Sequence, residues 1–138
     1  HIVFATKDHV PMILPEWRPR LHAFVGGCVQ TTGGTALSVG GVAEHIHVLA
    51  GLMATHRLAD FVREIKSVSS RRVHESIGQK SFQWQEGYGA FTVSSSMIET
   101  VSAYIENQEE HHRKRTFREE YLDFLNRHGV EFDGRYVF

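Results

Sequence analysis

Cysteine and proline are scarce in this sequence of 138 residues, which contains three prolines and one cysteine, Cys28. A single cysteine excludes a disulfide within the chain, and its apolar surroundings favour packing over catalysis. No apolar run reaches the roughly 18 residues that a membrane-spanning helix requires. A secretory signal is also missing. We therefore expect a cytoplasmic protein without a membrane partner.

A strong excess of charge is missing as well, since the formal net charge is −1. Many DNA-binding proteins carry a basic excess, so the total charge gives no hint of such a partner. The distribution is more informative, because six basic residues stand against three acidic ones between Arg57 and Lys80. A second basic cluster spans His111 to Arg115. Each cluster is compatible with a solvated helix face or with a phosphate-binding surface.

What the sequence does contain is enough apolar material for one core. Apolar residues make up 41% and aromatic residues 11% of the chain, which indicates a globular protein. The length is typical of one domain, so we predict a single domain over residues 1–138. The first residues, His1–Ala5, already have the pattern of a strand. A few natural residues are therefore expected to precede them.

Apolar periodicity predicts the element order β-α-β-β-α-β(β)-α-α. After the first strand, Pro15 is assigned to the first position of a helix that Thr31–Gly34 stops. The remaining elements are Ala36–Val42 and Ile46–Leu52 as strands, a helix from Leu58 to about Gly78, Phe82–Gln85 and Phe91–Val93 as extended segments, a helix from a capping box at Ser96 past Tyr104, and a last helix from a capping box at Thr116 to Gly129. An antiparallel sheet with helices packed on it, an α+β ferredoxin-like two-layer sandwich, is the simplest fold of this order.

The sharpest motif is His45-Ile46-His47, within an otherwise apolar run. Alternate residues of a strand face the same side, so both imidazoles project from one face while Ile46 enters the core. Two imidazoles about 7 Å apart along a strand are able to converge on one cation. A bare His-x-His pattern is common, however, and is also compatible with ordinary strand histidines. Glu44 is either a carboxylate that orients one imidazole or a turn residue.

A second motif, Tyr104-Ile105-Glu106-Asn107-Gln108, falls on a predicted helix. Tyr104 and Gln108 are four residues apart and share a face. The ordinary interpretation of Tyr104 is a boundary aromatic whose hydroxyl meets water. The alternative is a nucleophile, because a phosphotyrosine conserves the energy of the phosphodiester for a second transfer. Gln108 then offers an amide oxygen as a third metal ligand beside His45 and His47.

In this order, the motifs resemble the single-tyrosine HUH transposases of the IS200-like (IS200/IS605) insertion-sequence family, including the REP-associated tyrosine transposases. The resemblance extends over essentially the whole chain. The segments that carry it are His1–Phe4, Glu44–His47, Val62–Lys66, Trp84–Gly89, Tyr104–Gln108 and the pair His111-His112. The tail from Val130 to Phe138 is longer than in the shortest members.

The resemblance implies a metal-dependent endonuclease and strand transferase that acts on single-stranded DNA with hairpins at the element ends. It implies Mg²⁺ or Mn²⁺ held by the residues that match His45, His47 and Gln108. The residue that matches Tyr104 attacks the phosphate, stays joined to it as a 5′-phosphotyrosine and releases a 3′ hydroxyl. The resemblance also implies a homodimer, in which the tyrosine helix of some members docks against the partner's histidines.

Further residues are candidates for contact with DNA, although each is also compatible with a structural role. Cations and a serine are suited to phosphate, and aromatic rings to stacking on unpaired bases. These candidates are Lys66, Ser70, Arg71, Arg72, Trp84 and Tyr88. No residue is a clear acceptor for the Tyr104 proton. His111, seven positions further on roughly the same face, is either such a group or a surface histidine.

Three alternatives remain open at this point. A domesticated REP-associated relative that acts on chromosomal palindromic repeats keeps the same chemistry, so these residues do not separate it from a transposase. A silent DNA-binding module predicts loss of Tyr104 or a histidine, and all are present. A metal-dependent hydrolase that uses His45 and His47 with water forms no covalent adduct with DNA.

Overall fold

A four-stranded sheet organises the protein, whose structure is a computed structural model that describes residues 1–131. The strands are β1 (Ile2–Ala5), β2 (Thr35–Gly41), β3 (His45–Gly51) and β4 (Gly89–Ala90). Their order is β2-β3-β1-β4, and every neighbouring pair is antiparallel. The prediction of an α+β fold with helices packed on an antiparallel sheet is thereby confirmed. The end of the predicted C-terminal tail, residues 132–138, lies outside the described residues.

Within the described residues 1–131, five α-helices pack around this sheet. They are α1 (Arg18–Thr31), α2 (Leu58–Arg72), α3 (Ile98–Glu106), α4 (Gln108–His112) and α5 (Phe117–Arg127). A π-helical turn, Val73–Ile77, continues α2 as far as Gly78, whose φ of 86° ends the helix in the left-handed region. Within residues 1–131, no helix is long and apolar enough to cross a membrane.

The two faces of the sheet bury different clusters. On one face, side chains of β1 and β3 such as Phe4 and Ile46 pack against α1 and α2 in the larger core. On the other face, Val3 and Ala5 pack against a smaller apolar cluster that includes Phe117, Tyr121 and Leu125 of α5. The strands are therefore covered on both sides, and polar groups on the second face are held away from water.

Several predicted boundaries differ from the observed ones. The first helix begins at Arg18 rather than Pro15, because the backbone of Trp17 (φ −122°, ψ 2°) is not helical. The residues before it form a turn, in which Leu14 O accepts hydrogen bonds from Trp17 N and Arg18 N at 3.2 and 3.0 Å. Phe82–Gln85 forms only an isolated bridge between Thr6 and Trp84. Phe91–Val93 is not a strand, since pairing with β1 involves Gly89–Ala90 just before it.

The predicted caps have different outcomes at the two later helices. The capping box at Ser96 is wrong, because α3 follows a short 3-10 turn and has Met97 as an N-cap without a side-chain hydrogen bond. The hydroxyl of Ser96 instead lies 3.2 Å from that of Ser94. The cap at Thr116 is confirmed, since its hydroxyl accepts a hydrogen bond from Glu119 N. Gly129 follows α5 with a φ of 64°, as its predicted role requires.

Candidate active site

Strand β3 brings His45 and His47 to one face of the sheet, as the alternation of side chains predicts. They stand opposite Ala5 and Val3 of β1. The ring centroids of the two imidazoles are 5.1 Å apart. Both side chains are fully buried, although each is polar. Burial of this kind requires polar partners for both rings.

The carboxylate of Glu120, from α5, lies at the centre of the site. Its Oε1 is 2.9 Å from His47 Nε2 and 3.6 Å from His45 Nε2. Its Oε2 is 3.0 Å from His111 Nε2 and 3.2 Å from His112 Nε2. Only 2% of the Glu120 side chain is exposed. One buried carboxylate from α5 therefore joins four imidazoles from two other elements, β3 and α4.

Tyr104, the predicted nucleophile, reaches the same carboxylate. Its hydroxyl donates a hydrogen bond to Glu120 Oε2 and lies 3.3 Å from His111 Nε2. Its ring also meets the His47 ring edge to face, with centroids 5.7 Å apart. In the structure, these contacts of Tyr104 lie within one chain.

Gln108, the predicted third ligand, lies between two imidazoles. Its Oε1 is 3.1 Å from His45 Nε2 and 3.0 Å from His112 Nε2. The helix predicted to carry Tyr104 and Gln108 together is interrupted, because Asn107 (φ −104°, ψ 26°) separates α3 from α4. The break still leaves Gln108 buried at 1% exposure. Gln108 therefore enters the site from the first turn of α4.

Outer partners orient the two strand histidines. Glu44 Oε1 lies 3.1 Å from His45 Nδ1, in the position suggested for an orienting carboxylate. On the other side, His1 Nε2 lies 2.8 Å from His47 Nδ1, and the two rings stack. In both cases the Nδ1 atom is engaged, which directs the Nε2 atom toward the centre of the site.

Sequence reasoning missed Glu120, His112 and His1 as members of the site. The signal for Glu120 was present, because it lies between the buried residues Phe117 and Tyr121 on one face of α5. A carboxylate on the apolar stripe of an amphipathic helix requires a buried partner. His112 was noted only as part of the pair with His111.

Close packing holds α5 over the histidines. The Phe117 ring stacks on the His45 imidazole, with centroids 4.0 Å apart and planes 6° from parallel. Tyr121 packs directly over Gly89 of β4, where a β-carbon would overlap the Tyr121 ring. The absence of a side chain at Gly89 thus lets α5 approach the sheet closely enough for Glu120 to reach the imidazoles.

Burial and charge shift the protonation of these groups. Burial lowers the pKa of His47 to about 4, so this imidazole is neutral at pH 7. Burial and the nearby Glu120 charge raise the pKa of Tyr104 well above its ordinary value. Although burial opposes a charge on Glu120, hydrogen bonds with His112 and His47 hold its pKa well below the usual range. The site therefore contains an ionised carboxylate and a protonated tyrosine.

The donor set fits a divalent cation. One ligand atom from each of four residues lies within 4.8 Å of the others, namely His45, His47, His112 and Glu120. Two ligands on opposite sides of one Mg²⁺ stand about 4.2 Å apart, so the required adjustment is small. His45 supports the fit, because Glu44 Oε1 engages its Nδ1 and its Nε2 faces Gln108 Oε1 at 3.1 Å. A cation at this point would have both atoms as ligands.

A groove of about 520 Å³ between α2 and residues 83–88 is lined by four of the predicted DNA contacts, namely Lys66, Ser70, Trp84 and Tyr88. Lys66 Nζ donates to the carbonyls of residues 85–87 at 2.7–3.2 Å, and burial lowers its pKa to about 8. The Trp84 indole donates to Ser69 Oγ at 2.9 Å. Both side chains thus shape the groove as well as line it.

The other two predicted DNA contacts lie outside the lining of this groove. Arg71 and Arg72 are exposed at the C-terminal end of α2. The Arg72 guanidinium lies 5.4 Å from the centroid of the Phe24 ring, which places it toward α1.

Comparison with known proteins identifies the family of the chain. A sequence model of the family described as IS200-like transposase matches residues 1–108. The ISDra2 transposase TnpA of Deinococcus radiodurans is 22% identical over 114 residues, which cover 78% of this chain and 81% of that protein. A solved structure described as a transposase from D. radiodurans R1 superposes with a TM-score of 0.64 and 24% identity, covering 78% of this chain and 87% of the other.

The structural likeness establishes the fold, and the family model establishes the relationship. The matched residues include β1, both strand histidines, Tyr104 and Gln108 and end before α5. Because the match extends over more than half of its length, this chain belongs to the IS200-like transposase family.

Proposed function

We propose that this protein cleaves and rejoins single-stranded DNA at hairpin-bearing ends through a covalent 5′-phosphotyrosine on Tyr104. The proposed site is completed by Mg²⁺ or Mn²⁺ held by His45 and His47 with an oxygen ligand from Gln108 or Glu120. Membership of a transposase family implies a DNA-cleaving enzyme. The tyrosine chemistry is the part of the proposal that goes beyond family membership.

The single observation that carries the proposal is the convergence of Tyr104 with the strand histidines. Its hydroxyl and His47 Nε2 contact the two oxygens of the same buried carboxylate. A structural tyrosine can hydrogen-bond any nearby acceptor, whereas a nucleophile must lie within reach of the group that binds the phosphate, and Tyr104 meets that requirement. Both residues also lie inside the segment that matches the family.

The chain's own residues account for the movement of atoms in the proposed reaction. The Tyr104 oxygen forms a bond to phosphorus, and the bond from phosphorus to the 3′ oxygen breaks. The released 3′ oxygen takes a proton from water or from the group that accepted the Tyr104 proton, and becomes a 3′ hydroxyl. Glu120 Oε2, which accepts the Tyr104 hydrogen bond, and His111 Nε2 at 3.3 Å are the two groups in position to receive the proton. A bound divalent cation supplies Lewis-acid polarisation of the phosphate.

The groove beside α2 is the proposed path for the DNA. Arg63 and Lys66 line it together with the aromatic residues Trp84 and Tyr88. Proteins that bind single strands combine cations, which contact the phosphates, with aromatic rings, on which unpaired bases stack. A homodimer, which the family resemblance implies, would carry two such grooves and two sites on one assembly.

The test is the formation of a covalent adduct. Purified protein is incubated with a hairpin-bearing single strand and Mn²⁺ and is then separated on a denaturing gel. We expect a shifted protein–DNA band with wild type and none with Tyr104→Phe, which loses only the hydroxyl. Cleavage without an adduct would instead identify a hydrolase that uses water.

A matched control removes a hydroxyl elsewhere on the same helix. Ser102 of α3 is half-buried, as Tyr104 is, but it does not line the groove. Ser102→Ala is expected to retain the adduct. An adduct of undiminished yield with Tyr104→Phe would overturn the proposal.

A further inference from the structure

The C-terminal helix α5 supplies the carboxylate at the centre of the site, although it lies beyond the segment that matches the family. That match ends at residue 108, whereas α5 spans Phe117–Arg127. The family match therefore does not include Glu120.

A carboxylate as deeply buried as that of Glu120 requires compensating charge. Within residues 1–131, the ion-pair partners of Glu120 are imidazoles, and no lysine or arginine reaches it. At least two of those imidazoles, His45 and His47, direct Nε2 atoms toward Oε1. An arrangement of one carboxylate oxygen and two imidazole nitrogens around a common point is a typical set of ligands for a divalent transition-metal ion.

The two oxygens of Glu120 face different groups. Oε1 faces the histidines of β3, while Oε2 accepts the hydrogen bond from Tyr104. One carboxylate is thus able to coordinate a cation with one oxygen and to hold the tyrosine hydroxyl with the other. Gln108 differs, because its Oε1 already lies between His45 and His112 and joins α4 to β3.

We propose that Glu120 is the carboxylate ligand of the cation in this site and that it positions Tyr104 beside that cation. This inference rests on the proposed function for the presence of the cation. It assigns the oxygen ligand to a charged group, which a hard cation such as Mg²⁺ or Mn²⁺ prefers over a neutral amide. It also makes α5 a part of the active centre rather than an appendage to it.

The experiment measures Mn²⁺ binding without DNA, by titration calorimetry and by the electron paramagnetic resonance spectrum of the bound ion. The variant is Glu120→Gln, which keeps the shape of the side chain and removes its charge. Glu119→Gln is the matched control, because it changes the net charge equally at an exposed neighbouring position of the same helix. Gln108→Ala tests the competing ligand.

We expect Glu120→Gln to weaken Mn²⁺ binding at least about tenfold and to change the spectrum of the bound ion. Glu119→Gln should bind as wild type does, and Gln108→Ala should lose less affinity than Glu120→Gln. Glu120→Asp retains the charge on a shorter arm and should recover part of the affinity. Circular dichroism spectra identify any variant that fails to fold. If Glu120→Gln is such a variant, the Mn²⁺ affinity of Glu120→Asp is compared with that of wild type instead.

Hydrogen exchange provides a second readout that does not depend on activity. Mn²⁺ should slow exchange over residues 117–127 in wild type and Glu119→Gln, because the ion then ties α5 to β3, and should not slow it in Glu120→Gln. Unchanged Mn²⁺ affinity in Glu120→Gln, with affinity lost in a His45→Ala, His47→Ala double variant, would overturn this inference alone. If wild type binds no Mn²⁺ and forms no adduct, the proposed function fails as well.

Discussion

Replacement of Gly40 by alanine tests how the helix that carries Tyr104 is seated. Gly40 lies in β2, and α3 crosses it so closely that a β-carbon would lie deep inside van der Waals contact of the Ile105 carbonyl oxygen. The same atom would also lie 3.0 Å from the Ile105 carbonyl carbon and from its side-chain Cγ2. Two of the three overlaps involve the backbone of α3, so a side-chain rotation does not relieve them.

The expected loss of stability follows from that overlap. Relief requires α3 to move away from the sheet by on the order of 1 Å, and overpacking of this kind costs about 1–3 kcal/mol. The melting temperature should therefore fall by roughly 4–12 °C. Tyr104 is one residue from Ile105 and moves with it, and a misplacement of about 1 Å can reduce the rate of a reaction about 10²-fold. We therefore expect a large fall in the rate of adduct formation in a protein that still folds.

Gly27→Ala is the control for this substitution. Gly27 is an exposed position of α1, where an added β-carbon meets nothing within 4 Å. Because alanine is the better helix former, this variant should gain about 0.5–1 kcal/mol and keep full activity. Thermal unfolding by circular dichroism and the yield of DNA adduct on denaturing gels provide the two measurements. Wild-type values of both for Gly40→Ala would refute the close seating of α3 on β2.

Three further predictions concern assembly, the groove and DNA binding. A mixture of Tyr104→Phe and His45→Ala proteins should recover no cleavage, because Tyr104 and His47 contact the same carboxylate within one chain, and recovered activity would show that two subunits share a site. Lys66→Met removes the donor to three loop carbonyls and should lower the free energy of unfolding in urea by about 1 kcal/mol, since water replaces part of that interaction. An unchanged urea midpoint would show that the stability of the loop does not depend on Lys66. Arg71→Ala should weaken binding of hairpin DNA and reduce the slope of log affinity against log salt by about 1, and an unchanged slope would exclude a phosphate contact.

The sheet and the strand histidines were predictable from sequence because they depend on a local rule. Side chains alternate along a strand, so the pair His45 and His47 had to share a face once β3 was assigned. The sheet order then places them opposite Val3 and Ala5 of β1. The family resemblance supplied the link to Tyr104, which residue spacing alone did not establish.

The centre of the site was not predictable in the same way. Glu120 is separated from His47 by 73 positions in sequence and reaches it only because α5 packs over Gly89. That contact depends on tertiary packing, which no local pattern reports. The break at Asn107 was also missed, since the sequence there has neither glycine nor proline. Its effect is to place Gln108 on a separate helix from Tyr104.

The groove shows how one residue serves two purposes that sequence reasoning treats as alternatives. Lys66 was predicted as a phosphate contact, and its ammonium group is committed to the carbonyls of the loop that forms one wall of the groove. Trp84 likewise packs against Phe4 and Phe82 while lining the same groove. Their contact with DNA stays a prediction.

Mapping the site of covalent attachment tests the central proposal most directly. Wild-type protein is allowed to react with a hairpin-bearing single strand, the adduct is digested with nuclease and protease, and the modified peptide is sequenced by mass spectrometry. The proposal predicts a nucleotide joined through its 5′ phosphate to Tyr104. Attachment to another residue, or cleavage with no modified peptide at all, would contradict it.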